Sequence, residues 1–141
     1  MSGIKRDAAD AAFSDCVRER ANWACERCFT YYPEGSRRGI ECAHIKGRRN
    51  KRVRQDPDNA VCLCTSCHMY FSGEPLEFSA FVEEKLGAGR LEILIEKARG
   101  CIKYNKAFVK DCAKHYREQL KIMQEKRKQG VTGYLEFEGY L

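Results

Sequence analysis

Asp58-Asn59-Ala60-Val61-Cys62-Leu63-Cys64-Thr65-Ser66-Cys67-His68 is the stretch that decides how this chain folds. It leaves a turn signal, Asp56-Pro57-Asp58-Asn59, and runs as a short apolar strand over Ala60 to Leu63. It then enters a Cys-x-x-Cys pair and a helix, with Thr65 or Ser66 as the N-cap. A second pair, Cys25 and Cys28, lies upstream. Four thiolates in two such pairs close a tetrahedral Zn²⁺ site. That ligand set is full and leaves no position for a zinc-bound water, so the zinc is structural. A thioredoxin-like use of either pair lacks its βαβ surroundings.

Upstream of this stretch, Ile40-Glu41-Cys42-Ala43-His44-Ile45 reads as another short strand. The gap between Cys28 and Cys64 holds two strands and a loop, so the two pairs clamp the foot of a β-hairpin whose second strand feeds a helix. His44 ends the first strand. His68 follows a zinc ligand, and successive helical residues are rotated by about 100°. Its imidazole is therefore expected to turn from the zinc toward the hairpin and to face His44. A lone histidine is more often a structural residue than a functional one. Two of them on one zinc-clamped unit, beside a cationic loop, shift that balance.

The loop reads Lys46-Gly47-Arg48-Arg49-Asn50-Lys51-Arg52-Val53-Arg54 and leads directly out of the candidate site. The chain as a whole has a net charge of +6, which alone says little. The concentration of charge here points to phosphate, and Arg offers a bidentate fork for it. Lys46, Arg48, Arg49, Lys51, Arg52 and Arg54 are the candidate nucleic-acid contacts, against the plain alternative of solvated charge. Phosphodiester hydrolysis needs a base for water and a cation for the developing charge. Neutral imidazole suits the first and a divalent ion the second.

Cys25-x-x-Cys28, Glu41-Cys42-Ala43-His44-Ile45 and Asp58-Asn59-Ala60-Val61-Cys62-Leu63-Cys64-x-x-Cys67-His68 together resemble the HNH nuclease motif of the ββα-metal class, in its four-cysteine zinc form. The resemblance covers roughly residues 23 to 72. It implies an α+β fold, a metal-dependent DNA endonuclease, and cleavage that leaves 5′-phosphates. It implies His44 as general base, Asn59 as the residue bracing the loop that orients His44, and His68 as ligand of a catalytic Mg²⁺ or Mn²⁺. HNH enzymes often carry Asp or His just before the base, where this chain has Ala43. Glu41, on the same strand side, is the first candidate for the missing metal ligand and Asp58 the second. Water and substrate phosphate can also complete a Mg²⁺ shell. The wider pattern is similar to the phage NinG/Rap recombination nucleases, through Ser72-Gly73 and the later Lys103-Tyr104 and Tyr116-Arg117. That similarity implies branched DNA as a substrate and, for a phage-encoded chain, the host cytoplasm.

With 141 residues the expectation is one domain: an N-terminal helix over 1–22, the zinc-clamped ββα core over 23–73, a helical extension over 74–129, and a hairpin or mobile tail over 130–141. Apolar spacing predicts helices over Ala8 to Ala21, Pro75 to Leu86, Leu91 to Ala98 and Lys106 to Lys128. No apolar run is long enough to span a membrane. Nine cysteines without an export signal argue for a reducing compartment, the cytoplasm, and against disulfides. Cys16, Cys42, Cys62, Cys101 and Cys112 read as small buried hydrophobes. Lys121, Lys126, Arg127 and Lys128 are candidates to extend a DNA track. The long last helix and the tail are candidates for a homodimer seam. Two further readings compete: a zinc-dependent DNA-binding or recombination-accessory module without cleavage, and an RNase or toxin-type nuclease, since backbone chemistry does not specify the sugar.

Overall fold

The computed structural model describes residues 4–141, in the order α1 (Ala8–Arg20), β1 (Ile40–His44), a 3-10 turn (Pro57–Asn59), β2 (Ala60–Cys64), α2 (Thr65–Gly73), α3 (Pro75–Leu86), α4 (Ala88–Ala98) and α5 (Lys106–Lys128). The class is α+β, with helices around one two-stranded antiparallel sheet. β1 and β2 pair from Ile40 opposite Cys64 to His44 opposite Ala60. The ladder gains one more step where the Ile45 amide donates to the Asn59 carbonyl at 2.9 Å. Strand alternation sets Glu41 and Ala43 on one side and Cys42 and His44 on the other. Just before β1, Gly39 has φ +86°, and a Cβ there would stand 2.8 Å from the Tyr32 ring. No larger residue fits that start without displacing the ring.

α2 begins at Thr65 as expected, but neither Thr65 nor Ser66 caps it. The N-cap is Cys64, whose sulfur accepts from the Cys67 amide at 3.4 Å. A zinc-site thiol has taken the acceptor role that a hydroxyl usually fills. The Thr65 hydroxyl donates instead to Glu41 Oε2 at 3.0 Å.

α1 opens with a capping box, Asp7 and Asp10 each accepting from the other's amide at 2.9 Å. The helix is the centre of the molecule. Ala9, Phe13, Cys16 and Val17 are fully buried between the hairpin on one side and α5 on the other. Its polar residues are buried as well, each with a partner. Arg18 donates to the Ile40 carbonyl, Arg20 to the Pro57 and Ala60 carbonyls, and Glu19 pairs with Arg127 of α5. Helical periodicity shows only one apolar face here; the second buried face is polar and carried by long-range hydrogen bonds.

α5 lays Cys112, Tyr116 and Met123 on α1, with the Tyr116 ring edge-on to Phe13 at 5.2 Å. Of the hairpin or mobile tail expected after Gly130, the hairpin does not form. Residues 131–141 run as an irregular strap along α1 and α5. The Leu135 amide donates to the Arg20 carbonyl, the Tyr140 amide to the Tyr116 hydroxyl, and His115 Nε2 to the Glu138 carbonyl. Phe137 anchors the strap between Phe13 and Tyr116, 5.9 Å from each ring. Aromatic burial thus holds an extended chain that has no partner strand to pair with.

α3 and α4 fold out from α2 around Gly87, whose φ of +80° lets the chain leave one helix and enter the next. Phe78 and Phe81 gather on Phe71, and Val82 and Leu94 are buried. α4 starts at Ala88, earlier than expected. Ile95 is 37% exposed. Cys101 is exposed in the α4–α5 connection, not in a helical core, because α4 ends at Ala98. No described helix is long and apolar enough to cross a membrane.

Candidate functional site

The two knuckles meet as read. The sulfurs of Cys25, Cys28, Cys64 and Cys67 all lie within 4.8 Å of one another, and those of Cys28 and Cys64 are 3.8 Å apart. Tetrahedral Zn²⁺ with Zn–S of about 2.3 Å requires sulfurs about 3.8 Å apart, so the donor set fits this ion. Backbone amides of Arg27 and Cys28 point at Cys25 Sγ, as the Cys67 amide points at Cys64 Sγ. The Arg27 side chain donates to Cys67 Sγ at 3.4 Å and lies over the Tyr70 ring, placing a cation beside a four-thiolate cluster. Trp23, with φ 63°, is buried at the entrance to the first knuckle, whereas Tyr31 is exposed and does not cover it.

On the hairpin's far end, His44 and His68 line one cavity of about 420 Å³ with Glu41 and Cys42. His44 is half-buried against Phe13, with ring centroids 6.2 Å apart. Its Nε2 lies 3.0 Å from the Arg54 carbonyl. A carbonyl only accepts, so Nε2 carries the hydrogen and Nδ1 of the neutral ring keeps the lone pair. Burial lowers the His44 pKa below its ordinary value, although the Arg54 carbonyl and Asp10 pull the other way. The result is an imidazole that stays neutral and basic at pH 7. His68 Nδ1 stands 2.7 Å from Glu41 Oε1. Glu41 is fixed from its other oxygen by Thr65. A carboxylate holding one imidazole nitrogen leaves the other free for a metal. With Nδ1 held by Glu41, His68 would offer Nε2 to Mg²⁺ or Mn²⁺, which keep several waters, and Glu41 would orient the ring from behind rather than share the ion. Ala43 is buried and offers nothing. Asp58 lies elsewhere: it pairs with Arg90 and lines a separate cleft. The reason is the 3-10 turn, which aims it toward α4.

Asn59 is fully buried and ties the loop at both ends. Its Oδ1 accepts from the Lys46 amide at 2.7 Å, and its Nδ2 donates to the carbonyls of Lys46 at 2.8 Å and Val53 at 2.9 Å. It contacts backbone and not the cavity, which makes it a positioning residue. Of the six loop cations, Arg48 lines the cavity, and Lys46, Arg49 and Lys51 stand at least partly in solvent. Arg54 does not: its side chain is 3% exposed, bonded to Asp10 at 2.5 Å and to Asp7 at 3.3 Å. The loop's last turn dives under α1, and two carboxylates there demand a cation. Arg52 also turns inward, against Pro57, Phe108 and Tyr140. Arg127 is spent on Glu19.

Three arginines that sequence reasoning passed over line the same cavity: Arg6, Arg18 and Arg37. Lys5-Arg6 before α1 and Arg37-Arg38 before β1 were visible as short basic pairs. Nothing local shows that both flank the cavity, since α1 and β1 are brought together only by packing.

Residues 16–74 match the family described as HNH endonuclease. No curated protein and no solved structure matches the chain.

Proposed function

We propose that the segment matching the HNH endonuclease family is the working part of a metal-dependent DNA endonuclease. The observation that carries this reading is the cavity shared by His44 and His68, with the His44 tautomer fixed by the Arg54 carbonyl. His44 Nδ1 takes a proton from water as the water oxygen bonds to phosphorus. The bond from phosphorus to O3′ breaks, its electron pair stays on O3′, and solvent protonates it, leaving a 5′-phosphate. His68, oriented by Glu41, would hold a divalent ion that would supply positive charge against the charge that develops on the phosphoryl group. Asn59 holds the loop whose Arg54 carbonyl orients His44. Arg6, Arg37, Arg48 and Arg49 face the phosphates. Cys25, Cys28, Cys64 and Cys67 would hold a zinc ion that would keep the hairpin and α2 in register and would take no part in the chemistry.

Supercoiled plasmid with Mg²⁺ or Mn²⁺ tests the reading. Metal-dependent nicking is expected, lost in His44→Ala and weakened in Glu41→Gln. Binding without nicking by the wild type assigns a DNA-binding accessory module instead. The resemblance read from Ser72-Gly73, Lys103-Tyr104 and Tyr116-Arg117 makes branched DNA the substrate we propose. Rates on linear duplex, four-way junction and RNA of one sequence decide it; equal rates on junction and linear DNA sink the preference.

A further inference from the structure

The outer face of α5 has no part in the catalysis described above. Lys106, Lys110, Arg117 and Lys121 are all exposed. At about 100° per residue they fall within an arc of about 60°, while Asp111 and Glu118 stand about 120–140° from Lys106. Two furrows of about 610 and 270 Å³ run between this face and α1. Both reach Ala8 and Arg117, and the smaller one reaches Arg37, which also lines the catalytic cavity. Their floor is small, with Ala8, Ala11, Ala12 and Ala113. The acids along them are already bonded: Asp7 shares Arg54 with Asp10 and accepts from the Tyr104 hydroxyl, and Asp15 pairs with Arg18 and Arg37. What remains is a channel with cations that are unpaired among the described residues on one wall, leading out of the cavity past Arg37.

We propose that this channel holds the duplex flanking the cut. DNA leaves the cavity past Arg37 and lies along α5, its phosphates against Lys106, Lys110 and Arg117. The cavity end of this path rests on the nuclease reading; the α5 end rests on its own charge. Lys106 to Lys121 spans about 22 Å of helix, which matches six to seven base pairs at about 3.4 Å each. Phosphate contact of this kind adds affinity without reading sequence.

Filter binding at several salt concentrations tests it, using His44→Ala so that no strand is cut, with duplexes of about 8 and about 20 base pairs. The longer duplex is expected to bind with the steeper salt dependence. Adding Lys106→Gln, Lys110→Gln and Arg117→Gln should lower that slope by about one unit per cation removed and leave the short duplex unaffected. An unchanged slope on the long duplex overturns the channel, as does an equal loss on the short one. A steeper slope on an RNA duplex of the same sequence overturns DNA as its partner. A slope that falls as expected, in a protein whose wild type nicks no plasmid, keeps the channel and removes the nuclease. Plasmid nicking with an unchanged slope does the reverse.

Discussion

His44 is where the protonation argument is sharpest. Burial lowers its pKa below 6.5. The basic form should therefore dominate at neutral pH. We expect kcat/KM to stay level down through pH 7 and to fall only below the ordinary histidine range. A profile already falling at pH 7.5 would contradict it. The same shift has a stability side. The unfolded chain binds the proton more readily, so stability is complete above about pH 6.5 and declines as pH falls toward the folded value. His44→Ala should cut kcat by about 100- to 10,000-fold, the usual range for loss of a general base. Arg54 behaves oppositely to its neighbours. Burial alone would raise the pKa of Asp10, but the Arg54 guanidinium and the Asp7 amide more than offset this and hold it below the usual carboxylate range. Arg54→Met strands that charge and should cost roughly 3–5 kcal/mol in urea unfolding, with Asp10→Leu added in cis restoring much of it. If Arg54→Met instead weakens DNA binding with no loss of stability, Arg54 faces solvent after all. The cysteines and both histidines were legible because spacing alone fixes where a knuckle and its following helix point. Arg54 was not, because its partners lie far back along the chain in α1.

At the level of elements, the hairpin loop depends on one amide side chain. Asn59→Ala leaves two carbonyls and an amide unsatisfied in a buried place, at about 2–4 kcal/mol. The thermal midpoint should drop by roughly 10 °C, and kcat should fall further than KM rises, because the Arg54 carbonyl loses its setting. A melt within 2 °C or so of wild type would show that the brace is dispensable. The strap after Gly130 makes a parallel case. Phe137→Ala empties the slot between Phe13 and Tyr116 and should cost about 3–5 kcal/mol. Periodicity identified α1, α3, α4 and α5, since long amphipathic repeats speak for themselves, while α2 was read from the cap signal after the second cysteine pair. It could not identify the strap. Val131 to Leu141 has aromatics at every third residue, Tyr134, Phe137 and Tyr140, without a partner strand, and only the completed α1–α5 surface gives them somewhere to go. Nor did one apolar face on α1 reveal that its polar face is buried too.

For the molecule as a whole, the four-cysteine cluster joins the two halves of the core. Cys25 and Cys28 sit on the chain leaving α1, and Cys64 and Cys67 on the hairpin's return. Metal analysis should find one zinc per chain. Chelation should unfold the hairpin and α2 and abolish nicking even when Mg²⁺ is supplied in excess. Full activity after zinc removal would mean that the sulfurs do not hold the site together. The ββα arrangement was readable from two short motifs; the central place of α1 was not, because it comes from burying polar groups whose partners are scattered along the sequence.

Trp23 is the single tryptophan of this chain and stands buried where α1 hands over to the first knuckle. The protein therefore carries its own optical gauge of metal occupancy. Opening the knuckle wets the indole and shifts its emission to the red, so the rate of zinc loss can be followed in real time without a label.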